Sequence, residues 1–363
     1  MKIKKLVQKE ILDISCYEVK TILDQKLDEK IMKMNLNENF GIPSEAVEKL
    51  LIDACKKIDV REYPPPRGCL ATKAISEFLN LSESEVSVAN GADEIMDLLM
   101  KVFIRRGSKV IVVEPTFPMY SFFAELYGGK KVTAMLKKDF SLDVDAILKK
   151  ADKETRLLFV CSPNNPTGNQ FRESDIKQLL EEFKGIVVVD EAYVDFASCS
   201  VINWIREYDN LAILRSFSKA FGLAGLRLGY LVSSKHIVKY IQKVVGPFNV
   251  NSVTQQTIVL ALQNWSYFKE QIDFVVNERK WLMQNLKQID GVKPYPSDAN
   301  FILFKVIKDK LNSATLTNRM EERKVLVKDR GHSPFLNNCI RVTVGTREMN
   351  ESFVSALKGS LEK

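Results

Sequence analysis

The chain has 363 residues, 45% hydrophobic and 27% charged. That is the make-up of a folded globular protein long enough for two cores, and it excludes a disordered chain. The net charge of +7 is carried by dispersed lysine pairs such as Lys137-Lys138 and Lys149-Lys150 with acidic residues between them, which reads as solvated helix faces rather than a nucleic-acid surface. Two histidines, six scattered cysteines with no CxxC pair, and no apolar run of membrane-spanning length leave no multi-histidine metal site, disulfide framework or transmembrane span. With a charged N-terminus that lacks a signal-peptide core, a cytoplasmic location is expected.

In chain order, the first forty residues read as helix and extended arm, ending in "MNLNENFGIPSE". A rigid proline segment, "YPPPRG" (63–68), follows. Seven short apolar, β-branched segments then recur: "VSVAN" (86–90), "KVIVVEP" (109–115), "KKVTAML" (130–136), "RLLFVCSP" (156–163), "GIVVVDEAY" (185–193), "LAILRSFSK" (211–219) and "LRLGYLVSS" (226–234). Several lack the alternation of a half-solvated strand, and "ADEIMDLLMKVF", "SFFAELYG" and "ESDIKQLLEEF" carry helical spacing between them. The expected fold is therefore α/β, with a seven-stranded, mostly parallel sheet covered by helices on both faces. Only a short glycine-rich turn separates the last two segments, so at least one strand there is expected to run antiparallel. A long helical pattern through "FKEQIDFVVNERKWLMQNLKQI" leads to "NFILFKV", "RKVLVKD" and "CIRVTVG", which read as strands of a smaller α+β unit. The resulting division is an arm over 1–40, a large domain over 41–250 and a small domain over 251–363.

Ligands of doubly wound sheets lie beyond the carboxyl ends of the strands. Those ends are polar here: Gly91-Ala92-Asp93-Glu94, Ser162 to Gly168, Asp190 to Tyr193, and Ser216 to Lys219. A lysine condenses with an aldehyde only as the neutral amine, which requires burial or nearby positive charge, and Arg227 stands eight positions after Lys219. Taken alone, a lysine beyond a strand is more often a solvated surface residue; its surroundings reverse that reading. Asp190 closes a buried strand, where an ion is costly unless a cation or several donors meet it. "NGADE" begins a helix whose free amides suit an anion, though Asp93 and Glu94 favour a helix start by themselves. Asn165 reads as a turn residue, Arg341 as an edge-strand cation and Tyr63 as a turn aromatic until a context assigns them more.

"SPNNPTG", "VVDEAY" and "SFSKAFGLAGLRLGY", in that order, resemble the pyridoxal-phosphate aminotransferases of the aspartate aminotransferase fold. The likeness is strongest to their histidinol-phosphate branch, and it extends from "LNEN" (36–39) to "IRVTVGTREMN" (340–350). The resemblance implies pyridoxal 5'-phosphate as cofactor, with Lys219 as the Schiff-base lysine and proton carrier. Asp190 is then the partner of the ring nitrogen, and Tyr193 and Asn165 the partners of the ring oxygen. Gly91, Ala92, Asp93, Ser216, Ser218 and Arg227 fall at the phosphate, and Phe117 on the ring face. Arg341 matches the clamp for a substrate carboxylate and Asn39 a residue that closes the site. Lys328 stands where relatives often have an arginine for a substrate phosphate, with Arg330 as a second candidate. Tyr63 matches a tyrosine that reaches the neighbouring subunit's cofactor, which implies a homodimer with shared sites.

The implied partners are a small amino donor and a 2-oxo acid, histidinol phosphate with 2-oxoglutarate first among them. An aromatic aminotransferase, a threonine-phosphate decarboxylase and a non-catalytic relative remain as alternatives. A dinucleotide-binding dehydrogenase is disfavoured, because Gly222, Gly225 and Gly229 do not form GxGxxG after a strand.

Overall fold

Strands without polar alternation have no face to give to water, and the sheet they build is covered on both sides. The structure, a computed structural model, describes residues 3–12, 14 and 31–362. The part of the expected N-terminal helix and arm that falls on 15–30 lies outside the described residues. Helix α1 (Lys9–Leu12), strand β1 (Met32–Lys33) and helices α2 (Ser44–Cys55) and α3 (Cys69–Leu79) come first. Strands and helices then alternate as β2 (Val86–Ala89), α4 (Ala92–Phe103), β3 (Lys109–Glu114), α5 (Met119–Leu126), β4 (Lys130–Met135), α6 (Val144–Leu148), β5 (Thr155–Cys161), α7 (Glu173–Glu182) and β6 (Ile186–Asp190), followed by β7 (Leu211–Ser216) and β8 (Gly229–Ser233).

These are the seven expected strands, in the order β2-β8-β7-β6-β5-β3-β4. Strand β8 runs antiparallel to both neighbours and the remaining pairs are parallel. The short turn after β7 dictates this, since a parallel return needs a long crossover. Successive residues leave a strand on opposite faces. Val187 and Val189 of β6 enter one apolar cluster with Ile75 of α3 and Ile176 of α7, while Val188 enters another with Ile95 of α4 and Tyr120 of α5.

The chain continues through α8 (Lys235–Val244), α9 (Ser252–Gln263) and α10 (Trp265–Lys287) into β9 (Val292–Pro294), β10 (Phe301–Val306), α11 (Ser313–Glu322), β11 (Val325–Leu326), β12 (Lys328–Asp329), β13 (Cys339–Thr343) and α12 (Arg347–Glu362). The second sheet has the order β12-β13-β10-β9. Here one expectation is corrected. The single strand read from "RKVLVKD" is two, because β11 pairs in parallel with β1 while β12 pairs antiparallel with β13. The backbone changes partner at buried Val327, and a ladder cannot continue through a change of partner. Strand β9 was not expected, since three residues carry no readable alternation.

Strands β2, β3, β5, β6 and β7 point the same way, so their last residues share one edge of the sheet. The close approach of α4 to that edge depends on Gly229 of β8. A Cβ built there would stand 2.2 Å from the backbone nitrogen of Ala92 and 2.5 Å from the carbonyl carbon of Gly91. Neither backbone atom can swing aside as a side chain does. Gly229→Ala is expected to cost about 1–3 kcal/mol, the usual range for forced overpacking, read as a lower thermal unfolding midpoint.

Candidate active site

The side-chain alternation that buries Val188 also sends Asp190 to the α4–α5 face, at the end of β6. There its Oδ2 accepts the Tyr120 hydroxyl at 2.5 Å and its Oδ1 accepts the Ala192 N–H at 3.0 Å. Tyr120 is fully buried and stacks on Phe159 with centroids 4.7 Å apart. Burial raises the proton affinity of Asp190, the two hydrogen bonds oppose that, and the charges of Asp93 and Glu191 add to it. A cation placed against this carboxylate relieves the cost. Cys161 is the ladder partner of Asp190, and burial pushes its thiol up as well.

Lys219 follows β7 on the turn before β8. The residue as a whole is half-buried, and its Nζ donates to the Leu36 carbonyl at 3.0 Å and stands 5.9 Å from the centroid of the Tyr193 ring. Burial, then the charge of Arg341 and that of Arg227, pulls the amine down to about 8, against the opposing pull of Glu38 and Asp93. This is the neutral-amine environment that condensation with an aldehyde requires.

Asp190 and Lys219 face a cavity of about 300 Å³. One end is built for an anion. Helix α4 begins at Ala92 with its first amides free of helical partners, and its cap, Gly91, has φ 93°. A Cβ on Gly91 would meet Arg227 Nη2 at 2.6 Å, so the glycine leaves room for the guanidinium. Arg227 pairs with Asp93 at 3.1 Å and approaches the Ser218 hydroxyl at 3.5 Å, while Ser216 Oγ accepts the Ser218 N–H at 3.1 Å.

The opposite wall comes from the arm and the second sheet. Asn37 donates from Nδ2 to the Tyr193 hydroxyl at 3.0 Å. Arg341 on β13 donates to Asn165 Oδ1 and to the Asn35 carbonyl, each at 2.6 Å, and its guanidinium lies 5.3 Å from the centroid of Phe301. Lys328 is the direct ladder partner of Arg341, so both side chains leave the same face and both line the cavity, joined by Arg330. Phe117 lines it too, edge-on to Tyr120 at 5.7 Å.

Of the site residues singled out from the sequence, all but three line this cavity. Gly91 lies immediately behind Arg227. Asn39, within the arm, is buried, donating to the Ala220 carbonyl at 3.0 Å and accepting the Gly41 N–H at 3.0 Å. Tyr63 is 81% exposed and stacks on Phe248 at 4.6 Å, away from its own chain's cavity. Sequence reasoning missed Tyr120, Asn37, Glu38 and Cys161. Tyr120 had a local signal, as a polar-tipped aromatic one helical turn after Phe117; Asn37 had none, since its partner is 156 residues away. Among the described residues no cluster of three or more His, Cys, Asp or Glu is placed to hold a metal ion, and no helix is long and apolar enough to cross a membrane.

The sequence profile of the family described as Aminotransferase class I and II matches residues 29–357. A histidinol-phosphate aminotransferase of Thermoanaerobacter sp. (strain X514) is 37% identical over 98% of this chain and 99% of that protein. One of Clostridium novyi (strain NT) is 35% identical over 98% of each. Among solved structures, the histidinol-phosphate aminotransferase of Sinorhizobium meliloti in complex with pyridoxal-5'-phosphate superposes with a TM-score of 0.89 at 22% identity, covering 98% of this chain and 97% of that one. The L-threonine-O-3-phosphate decarboxylase of Porphyromonas gingivalis superposes with a TM-score of 0.80 at 25% identity, covering 92% and 100%.

Proposed function

The chain belongs to the class I and II aminotransferases, and from that premise we propose that it is a pyridoxal-phosphate enzyme moving the amino group of histidinol phosphate to 2-oxoglutarate, a step of histidine biosynthesis. The observation that carries the reading is one cavity holding a lysine of lowered pKa, a buried carboxylate and a helix N-terminus, with three cations on its far wall. The donor set fits the cofactor. Asp190 offers a buried anion to a ring N–H⁺, Phe117 an aromatic face, and Ala92, Asp93, Ser216, Ser218 and Arg227 amides, hydroxyls and a guanidinium for a phosphate.

When bound, pyridoxal phosphate supplies an aldehyde to the donor's amine and a protonated ring that withdraws electrons from the donor's Cα. Asp190 would keep the ring nitrogen protonated. Lys219 Nζ would take the proton from the donor's Cα, a transfer for which an amine near neutrality is matched. Tyr193 and Asn165 would hold the ring oxygen. Arg341 grips a carboxylate of the oxo acid with its planar fork, and Lys328 with Arg330 holds the donor's phosphate.

The arm (1–40), large unit (41–250) and smaller unit (251–363) belong to the same proposal, each supplying part of the wall. So does a homodimer in which Tyr63, exposed beside Phe248, serves the neighbouring subunit's site. A cytoplasmic location suits the free, exposed thiols of Cys55, Cys69 and Cys199.

Initial rates with histidinol phosphate, phenylalanine and threonine phosphate, each with 2-oxoglutarate, test the reading. The highest kcat/KM is expected for histidinol phosphate, with one glutamate formed per donor consumed. Release of CO₂ from threonine phosphate without glutamate would instead establish the decarboxylase reading, which the likeness to the Porphyromonas gingivalis enzyme favours and whose phosphate the same cations would hold.

A further inference from the structure

Three consecutive residues of the arm each meet one residue of the proposed chemistry. The Asn35 carbonyl accepts from Arg341 at 2.6 Å, the Leu36 carbonyl accepts from Lys219 Nζ at 3.0 Å, and Asn37 Nδ2 donates to the Tyr193 hydroxyl at 3.0 Å. The first two contacts use the backbone and are indifferent to which side chain the arm carries. The third depends on a side chain. Asn37 is buried and its backbone is held on both sides: its N–H donates to Thr343 Oγ1 at 3.0 Å and its carbonyl accepts from Asn300 Nδ2 at 3.0 Å. Its φ is 58°, a left-handed backbone that asparagine adopts more readily than most other side chains do. Because Thr343 Oγ1 accepts the Asn37 N–H, its own proton is free for Asn37 Oδ1, 3.5 Å away, and that pairing turns Nδ2 toward Tyr193.

An amide nitrogen donates and does not accept, so this bond takes a lone pair of the Tyr193 hydroxyl and leaves its single proton for another acceptor. Burial pushes the hydroxyl well up, so the proton is present at neutral pH. Tyr193 lines the cavity together with Asn37 and Lys219. We propose that Asn37 is a positioning residue that aims the Tyr193 proton at the ring oxygen of the cofactor. A ring oxygen that accepts this proton holds negative charge more easily, and it then attracts a proton on the neighbouring lysine linkage less strongly. Asn37 thereby lowers the pH at which that linkage loses its proton. The other titratable or charged groups facing Lys219 and Tyr193 are Arg341 of β13, Glu38 of the arm, Arg227 before β8, Asp93 of α4, Asp190 of β6 and Cys161 of β5, with Lys328 and Arg330 on the far wall. None of them is altered in the test. The inference rests on the assignment of Lys219 and Tyr193 to the cofactor.

The experiment follows the visible absorption of the chain loaded with pyridoxal phosphate against pH, in the unaltered protein, Asn37→Gly, Tyr193→Phe and the double variant. Glycine keeps the left-handed backbone and removes the donor. Asn37→Gly is expected to move the midpoint of the absorption change up by roughly 0.5 to 1 pH unit, the worth of one hydrogen bond. Tyr193→Phe should move it at least as far, and the double variant no further than Tyr193→Phe, since Asn37 acts only through that hydroxyl. Asn37→Asp, which keeps the shape and offers no N–H, replaces the glycine variant should that one fold poorly. Its shift should shrink in the Tyr193→Phe background, where a direct effect of the new charge would persist. An unmoved midpoint in Asn37→Gly, or shifts that add in the double variant, would make Asn37 a structural tie of the arm and overturn the proposal. Absence of a visible band from the unaltered loaded chain would overturn the assignment of Lys219 first and this inference with it, so the two failures are distinguishable.

Discussion

Lys219→Ala is expected to lower kcat for transamination by roughly 10²- to 10⁴-fold, the usual contribution of a positioned general base. The folded chain and its phosphate end should stay intact. The side chain is only half-buried and makes one hydrogen bond, to the Leu36 carbonyl, so its loss leaves no core cavity. The protein purified with cofactor should lose its visible absorption band while its thermal midpoint stays near that of the unaltered chain. A variant that kept the band would remove Lys219 from the proposed chemistry. The lowered pKa adds a pH signature. Because the amine sits at about 8, its neutral fraction falls about tenfold for each pH unit below that value and is nearly complete above it. Uptake of pyridoxal phosphate by the cofactor-free chain, followed by stopped-flow absorbance, should therefore climb to about pH 8 and then level. An ordinary lysine would keep climbing to about pH 10.

Asp190→Asn is expected to separate activity from stability. The amide preserves volume and leaves an oxygen for the Tyr120 hydroxyl, yet it removes the charge that keeps the ring nitrogen protonated. Truncating one partner of a buried charge pair costs about 2–5 kcal/mol, so kcat/KM should fall by roughly 30- to 5,000-fold. The cofactor-free fold should respond in the other direction. Burial raises the pKa of Asp190 in the folded chain above its unfolded value, so the native state binds the proton more tightly. Its stabilising share is complete below the ordinary carboxylate range and is lost as pH rises through the raised value. The Asn variant cannot ionise and escapes that loss. Thermal midpoints measured from acid to neutral pH should fall more for the unaltered cofactor-free chain than for Asp190→Asn. A parallel course for the two would mean that the carboxylate is not strained in the absence of a cation.

Lys219 and Asp190 carry both predictions. A lysine opening a glycine-rich turn reads by itself as a surface residue and is marked only by the motifs around it, whereas a carboxylate ending "GIVVVD" is costly without a partner, so its position alone marks it. The same holds for the seven strands, whose period and composition are local properties, and for the antiparallel turn of β8, which loop length decides. The end of β6 at Asp190 was readable too, because a strand buried on both faces ends where the first ionisable group appears, although the segment read from the sequence, 185–193, ran past it.

What only the tertiary structure decided are contacts between residues far apart in the chain. Tyr193 meets Asn37, and Asn165 meets Arg341, 176 positions on. The strand expected over 323–329 divides because β1, nearly three hundred residues earlier, takes its first half. Tyr120 becomes the partner of Asp190 only once α5 packs over β3 and β4 on the sheet, and Glu38 acquires its unsatisfied oxygen only once the arm folds back beside the cavity. Periodicity and propensity act over a turn or two of chain. Hydrogen bonding at a site depends instead on which distant elements the core brings within about 3 Å, and that is settled by packing.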